Sequence, residues 1–340
     1  PIDRAFTVKG FGTVITGTQV SGRIVTNSEL VLLPAGRRLK MRGLQVHGMA
    51  QLTSKAGQRV AVNLSGIEVG ELKRGDTLAG VGTLESTRRF DGIITLLAGA
   101  PPLKHGARVR FHQGTTEVMA RVALGATAGP TGTDGKFDSA LQPGTDAYVR
   151  LRLERIVALT RGDRFVLRAY SPSVTIAGGT VLDPRPPRGR LRSAAGVVRL
   201  RRLRPSADPT LALEVMIEEA GGEGLSRQVL TSRAGVSPIH LDAVCDALAV
   251  SGRAVAVGDL LVSPAHLRSI EGELLVAVET YHRTHPLDDG LPREEARGRV
   301  GRRASAEVFD YVVVGLVTKG TIVATGKLAL ASHRISLSPE

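Results

Sequence analysis

Between Gly12 and Thr18 every residue other than the two glycines is β-branched: GTVITGT. Branching at Cβ restricts χ1 and suits a pleated strand better than a helical turn. The run lies within Ala5–Gly22, AFTVKGFGTVITGTQVSG, whose glycines invite comparison with a phosphate cradle. A dinucleotide fingerprint needs G-x-G-x-x-G at the opening of a helix, and here the glycines open a strand. A Walker loop needs Lys and then Ser or Thr after its last glycine. Gly17 is followed by Thr18 and Gln19, and G-x-x-x-x-G-K-[ST] occurs nowhere in the chain. The glycines are therefore read as a turn or bulge where strands approach closely.

The same style continues. Glu29–Pro34 (ELVLLP), Leu39–His47 (LKMRGLQVH) and Gln58–Leu64 (QRVAVNL) are short strand candidates, separated by the turn clusters PAGRR, KAGQ and KRGD. A second set follows: Arg89–Leu97, Ala107–Leu124, Thr145–Glu154 and Asp163–Tyr170. LRLE and VRFH alternate apolar and polar residues as a half-exposed sheet should. Short strands without crossover helices predict two antiparallel β-barrels, residues 1–84 and 85–187.

Pro184–Pro205 breaks this pattern with clustered prolines and eight arginines between Arg185 and Arg204. Its core, 188–204, is expected to be a linker, extended at its proline-rich start. A solvated Arg-rich linker is favoured over a basic strap for an RNA backbone. Beyond it the period becomes helical. Pro209–Gly222, Ser226–Gly235 and Ser237–Gly252 read as three helices, with Pro209 near the start of the first. Ser237 can cap the third, Pro238 suits its first turn, and Leu241, Val244 and Leu248 fall on one face. Arg253–Ser263 forms two strands about Gly258-Asp259. The order recurs in Leu267–Pro286, Pro292–Val300, Ser305–Gly320 and the strand pair Thr321–Ser332. Three helices and a hairpin, twice, predict two α+β winged helices, 205–266 and 267–340.

The net charge of +13 favours polyanionic partners, although Arg-rich composition accounts for part of it. The single Cys245 excludes an internal disulfide framework and a Cys-based zinc cluster, and fits a reducing cytoplasm. It lies beside the apolar face of its helix and is expected to be buried and inert. No uncharged apolar stretch reaches the ~18 residues that span a membrane. The chain opens at Pro1, without Met, in what reads as mid-strand, as expected of a fragment of a longer polypeptide.

Ile2–Thr18 (IDRAFTVKGFGTVITGT), Lys55–Ile67 (KAGQRVAVNLSGI) and Leu72–Ala79 (LKRGDTLA) resemble the second domain of translational GTPases. Gly162–Pro184 (GDRFVLRAYSPSVTIAGGTVLDP) and Leu275–Val300 resemble one branch of them, the selenocysteine-specific elongation factors. The resemblance implies a cytoplasmic, monomeric factor that carries selenocysteinyl-tRNA to the ribosome at recoded UGA codons. It implies GTP and Mg²⁺ in an intact factor whose GTPase domain is absent here. No cofactor is expected for this chain, which alone should not hydrolyse GTP. The messenger hairpin would be gripped by further C-terminal units. The resemblance also implies a pocket for the charged amino acid, made by Asp3, Arg4 and Arg59. From the residues alone these three would form a surface ion pair or a barrel-end salt bridge.

Other chemistry is sparse. His282 and His285 have metal-ligand spacing but no evident third ligand, and are read as surface histidines. Glu294-Glu295 is read as a solvated helix start. No serine- or cysteine-based nucleophile arrangement supports an enzyme built on a barrel. A DNA-binding regulator with a barrel sensor domain is the alternative reading. His240, Asp242 and Asp246 on one third helix, and Glu307 and Asp310 on the other, argue against groove reading, since acidic groups facing phosphates cost binding energy.

Overall fold

The computed structural model describes residues 1–129, 137–189, 191–205, 210–300 and 304–334. The chain divides into two compact units, Pro1–Ala207 with Thr231–Pro238, and Asp208–Leu230 with Ile239–Glu340.

The first unit begins with strands β1 (Ile2–Val8), β2 (Gly12–Thr18), β3 (Arg23–Val25), β4 (Glu29–Leu33), β5 (Arg37–Val46), β6 (Met49–Ala50), β7 (Thr53–Lys55), β8 (Arg59–Ser65) and β9 (Thr77–Gly80). Seven of these form an antiparallel sheet in the order β1-β2-β8-β5-β4-β9, with β6 on β5, and β3 pairs with β7 separately. Alternate residues face a core of Ile2, Ile15, Leu32, Met41, Leu44, Val62 and Leu64. The expected closed barrel is not completed by a strand ladder here, and β1 and β9 remain at the sheet's two edges. Ile2 of β1 bonds to the turn just before β9: its N–H donates to Asp76 O at 2.8 Å and its carbonyl accepts from Gly75 N–H at 3.2 Å. Beyond Ile2 a bulge interrupts the pairing of β1 with β2, which resumes at Arg4.

The second set consists of β10 (Ser86–Leu96), β11 (Leu103–Lys104), β12 (Arg108–Gln113), β13 (Thr116–Thr127), β14 (Ala140–Leu141), β15 (Asp146–Ala158), β16 (Arg164–Ala169) and β17 (Thr175–Asp183). Six of them close a barrel, β10-β15-β13-β12-β16-β17, with β17 returning to β10. The strand candidate 107–124 resolves into two strands, β12 and β13, joined by a Gly114-Thr115 turn. With no Trp, the barrel centres on Phe90, Phe111 and Phe165, whose ring centroids lie 5.2–5.4 Å apart. Such tilted and edge contacts add to the burial of the rings. The two sheets meet at the β12–β13 turn, where the Thr115 hydroxyl donates to Ile2 O at 2.7 Å and that of Thr116 to Gly75 O at 2.8 Å.

The Arg-rich segment is not a solvated linker throughout. Helix α1 (Ala194–Arg202) forms within it, capped by Ser193, whose hydroxyl accepts from Gly196 N–H at 3.1 Å. Val197 and Leu200 are buried. Arg190 lies outside the described residues.

The second unit holds α2 (Thr210–Ala220), β18 (Leu225–Ser226), α4 (Leu241–Val250), β19 (Val255–Val257) and β20 (Leu260–Val262), with α3 (Arg227–Ala234) divided between the units. A second series follows: α5 (Pro264–Thr284), β21 (Leu291–Pro292), α6 (Arg293–Val300), α7 (Ala306–Thr318), β22 (Ile322–Ala324) and β23 (Lys327–Leu330). Each series has three helices and a hairpin, as expected. Each also has a two-residue strand, β18 or β21, that completes a three-stranded sheet with the hairpin. Ser237 does not cap α4: a 3₁₀ turn, Pro238–His240, intervenes, and His240 stands at the N-cap without a side-chain bond. Ser263 and Ser305 do cap α5 and α7. Pro209 and the last residues of 267–340 lie outside the described residues.

Candidate functional site

The constellation of Asp3, Arg4 and Arg59 depends on one irregularity. β1 pairs with β2 so that Ile2 faces Gly17 and Arg4 faces Thr16, leaving Asp3 as the extra residue. Neighbours along a regular strand point to opposite faces. Ile2 is in the core, and Arg4 shares the outer face with its partner Thr16. The bulge lets Asp3 join that face too, because the Thr16 hydroxyl donates to Asp3 Oδ1 at 2.6 Å. Arg59 opens β8 opposite Thr18, two residues further along the same face of β2. Its Nη1 meets Asp3 Oδ2 at 2.7 Å.

Asp3 and Arg59 are thus brought into direct contact, and Arg4 is placed beside them. Arg4 makes no hydrogen bond or ion pair among the described residues, but its charge acts on Asp3. Burial pushes the Asp3 carboxyl up. The Thr16 hydroxyl, Arg59 and the nearby Arg4 charge outweigh that and hold it below the usual carboxylate range. Asp3 is 21% exposed and Arg59 57% exposed at the side chain, so the pair is open to a ligand on the guanidinium side. Two cations against one anion leave the patch with one net positive charge. Thr16 was missed by sequence reasoning. Its only prior signal is its place in the β-branched run.

A second charged cluster was also missed. Asp91 on β10 accepts two bonds from Arg150 on β15, at 2.6 and 2.9 Å. Asp183, at the end of β17, accepts two from Arg233 on α3, at 3.0 and 2.8 Å. Arg199 of α1 bridges both carboxylates, reaching Asp91 at 3.1 Å and also Asp183. Asp183 is fully buried and Arg199 13% exposed. Burial alone would raise the Asp183 carboxyl. Arg233, Arg199 and the Arg185 N–H reverse this and hold it low. These residues lie far apart in sequence, so no local spacing announces the cluster. Its chemistry is structural, fixing α1 and the end of α3 to the barrel.

The other candidates find plain roles. His282 is buried, not on the surface: its Nε2 accepts from Leu330 N–H at 3.2 Å and its ring stacks on His333 at 3.6 Å. His285 is exposed and stacks on Tyr281 instead. Cys245 is buried, and burial pushes its thiol up. Glu294 and Glu295 lie in the first turn of α6, where Glu295 pairs with Arg299 at 2.5 Å. Asp242 of α4 is held by Arg227 at 2.5 Å, and Asp310 of α7 by Arg293 at 2.6 Å. Both third helices thus spend an exposed acid on the first residue of the helix before. No described helix is long and apolar enough to cross a membrane.

Comparison with known proteins agrees with this architecture. Residues 90–188 match the profile of the selenocysteine-specific elongation factor β-barrel domain, and 275–330 that of the elongation factor SelB winged helix. Residues 12–79 match elongation factor Tu domain 2. The whole chain aligns with selenocysteine-specific elongation factors of Desulfomicrobium baculatum and Escherichia coli, at 34% and 30% identity. It spans 52% and 51% of their lengths, about half of each relative. An elongation factor Tu of Streptomyces avermitilis is 28% identical over 53% of this chain and 44% of its own. The crystal structure of a bacterial selenocysteine-specific elongation factor superposes with a TM-score of 0.68 at 19% identity, covering 97% of this chain and 49% of that one, which bears on the fold alone. Aligned along its whole length with about half of each of these factors, the chain carries the β-barrel and winged-helix domains that characterise selenocysteine-specific elongation factors.

Proposed function

We propose that this chain is the tRNA-holding part of a selenocysteine-specific elongation factor, and that the outer face of its first sheet senses the amino acid. On this reading the domains are 1–84 and 85–187, two barrels that hold the aminoacyl end and acceptor arm, joined through 188–204 to two winged helices, 205–266 and 267–340. GTP and Mg²⁺ act through a GTPase domain, whose phosphate-loop sequence does not occur among these 340 residues. The ribosome is the site of delivery.

The observation that carries the reading is the grouping of Arg59 and Arg4 about Asp3 on one exposed face. Selenocysteine, cysteine and serine have nearly the same shape. The selenol differs by being ionised at neutral pH. Guanidinium groups held beside it favour the selenolate over a neutral hydroxyl, a distinction that an apolar pocket cannot make. A carboxylate keeps one of them in place. The winged helices serve as spacers toward the messenger, consistent with the exposed acids Asp246 and Glu307 on their third helices.

The test is equilibrium binding of selenocysteinyl-tRNA and seryl-tRNA of one body to this chain joined to a GTPase domain of the family. A clear preference for the selenocysteinyl form is expected. Equal affinities would remove the charge-sensing role.

A further inference from the structure

The hydroxyl of Thr16 and the guanidinium of Arg59 each take one oxygen of Asp3. A guanidinium and a carboxylate free to choose favour two parallel bonds. Among the described residues both arrangements occur: Arg108 on Glu154, Arg150 on Asp91 and Arg233 on Asp183 make two bonds, at 2.6–3.0 Å, whereas Arg110 on Glu117 and Arg293 on Asp310 make one. Asp3 shows the second arrangement. Its Oδ1 is taken by Thr16 at 2.6 Å, and Arg59 meets Oδ2 through Nη1 at 2.7 Å. Arginine carries five N–H donors in a rigid fork. One-oxygen anchoring fixes the fork while leaving most of its donors unused, and the side chain is 57% exposed.

We propose that Thr16 is a specificity-determining positioning residue: by occupying Asp3 Oδ1 it keeps Arg59 anchored but not consumed, so that its free N–H groups, with those of Arg4, can receive a monoanionic side chain such as a selenolate. The proposal rests on the charge-sensing role proposed above. Without the hydroxyl, Asp3 turns both oxygens onto Arg59 and competes with the ligand for the same donors. Thr16→Val keeps the β-branched shape that suits the strand and removes only the donor. Thr16→Ser keeps the donor.

The experiment uses this chain and small probes. The Arg59 Nε–Hε resonance is followed by NMR while N-acetylselenocysteinamide, kept reduced, is added at neutral pH, with N-acetylserinamide as the uncharged comparison. In the unaltered chain the resonance is expected to move saturably with the selenolate and not with the serine compound. Thr16→Val is expected to weaken the selenolate response by about tenfold or more, the order set by loss of a hydrogen bond to a charged group. Thr16→Ser should restore it. That rescue separates a role of the hydroxyl from one of methyl packing. If Thr16→Val folds poorly, Thr16→Ala provides the same contrast. No Arg59 response in the unaltered chain overturns the charge-sensing role and this proposal with it. A normal response that survives Thr16→Val unchanged overturns the role of Thr16 alone.

Discussion

A Cβ built on Gly17 would stand 2.2 Å from the carbonyl oxygen of Pro1. Side-chain carbons do not approach backbone oxygens that closely, so the Pro1–Ile2 segment reaches its place only because position 17 is glycine. Gly17 pairs with Ile2, immediately before the bulge that brings Asp3 to the face of Arg4 and Arg59. Gly17→Ala is therefore expected to displace the start of β1, cost about 1–3 kcal/mol and break the Asp3–Arg59 pair. Urea unfolding measures the cost. Gly43→Ala is the control, since a Cβ there meets only Asn63 Cβ at 3.8 Å, an ordinary contact. Equal effects at the two positions would contradict the close-approach explanation.

The buried cluster makes a second test. Asp183 faces Arg233 and Arg199 with no access to water. Removing one partner of a buried ion pair strands the other charge, at a typical cost of about 3–5 kcal/mol. Asp183→Asn is expected to lower stability on that scale. Glu154→Gln, which breaks an exposed pair with Arg108, should cost no more than about 1 kcal/mol. Chemical denaturation of the two variants compares them directly, and similar small losses would mean that the cluster does not fix α1 and α3.

The third test concerns acid. Burial, and then the neighbouring His333, hold the His282 imidazole below its ordinary value of 6.5. The folded chain thus keeps His282 neutral while the unfolded chain protonates it first. Its contribution is complete above about pH 6.5 and declines as pH falls through that value toward the folded-state pKa. The hydrogen bond from Leu330 N–H needs the neutral ring as acceptor. His282→Gln retains an acceptor and does not titrate, so its stability should vary less between about pH 7.5 and 5.5. Urea midpoints at the two pH values decide it, and an unchanged pH dependence would assign the effect to another group.

Strands and helices were legible wherever a periodic run was bounded by turn residues, as in β4, β8, β16, α5 and α7. The glycine reading of Gly12–Thr18 anticipated a close approach, and Gly17 supplies it. What escaped was set by pairing between distant segments. β18 and β21 are two residues long, too short to show a period, and form only because a hairpin offers its edge. Arg199 looked like a solvated linker charge because its partners, Asp91 and Asp183, sit on strands 108 and 16 residues away. Asp3, Arg4 and Arg59 came from a resemblance. The bulge and Thr16, which give them a common face, depend on strand register, which the residues alone did not fix.

The central claim is that Arg59 recognises charge on the amino acid. The most direct measurement is the equilibrium affinity of Arg59→Ala, in the chain joined to a GTPase domain of the family, for selenocysteinyl-tRNA and for seryl-tRNA of the same body. A charge-assisted hydrogen bond contributes about 1.5–3 kcal/mol, and 1.4 kcal/mol is tenfold in affinity. Selenocysteinyl-tRNA binding is expected to weaken by about tenfold or more, with seryl-tRNA binding changed much less, because its hydroxyl carries no charge to lose. Equal losses for the two would show that Arg59 supports the fold or the tRNA backbone, and would contradict recognition by charge.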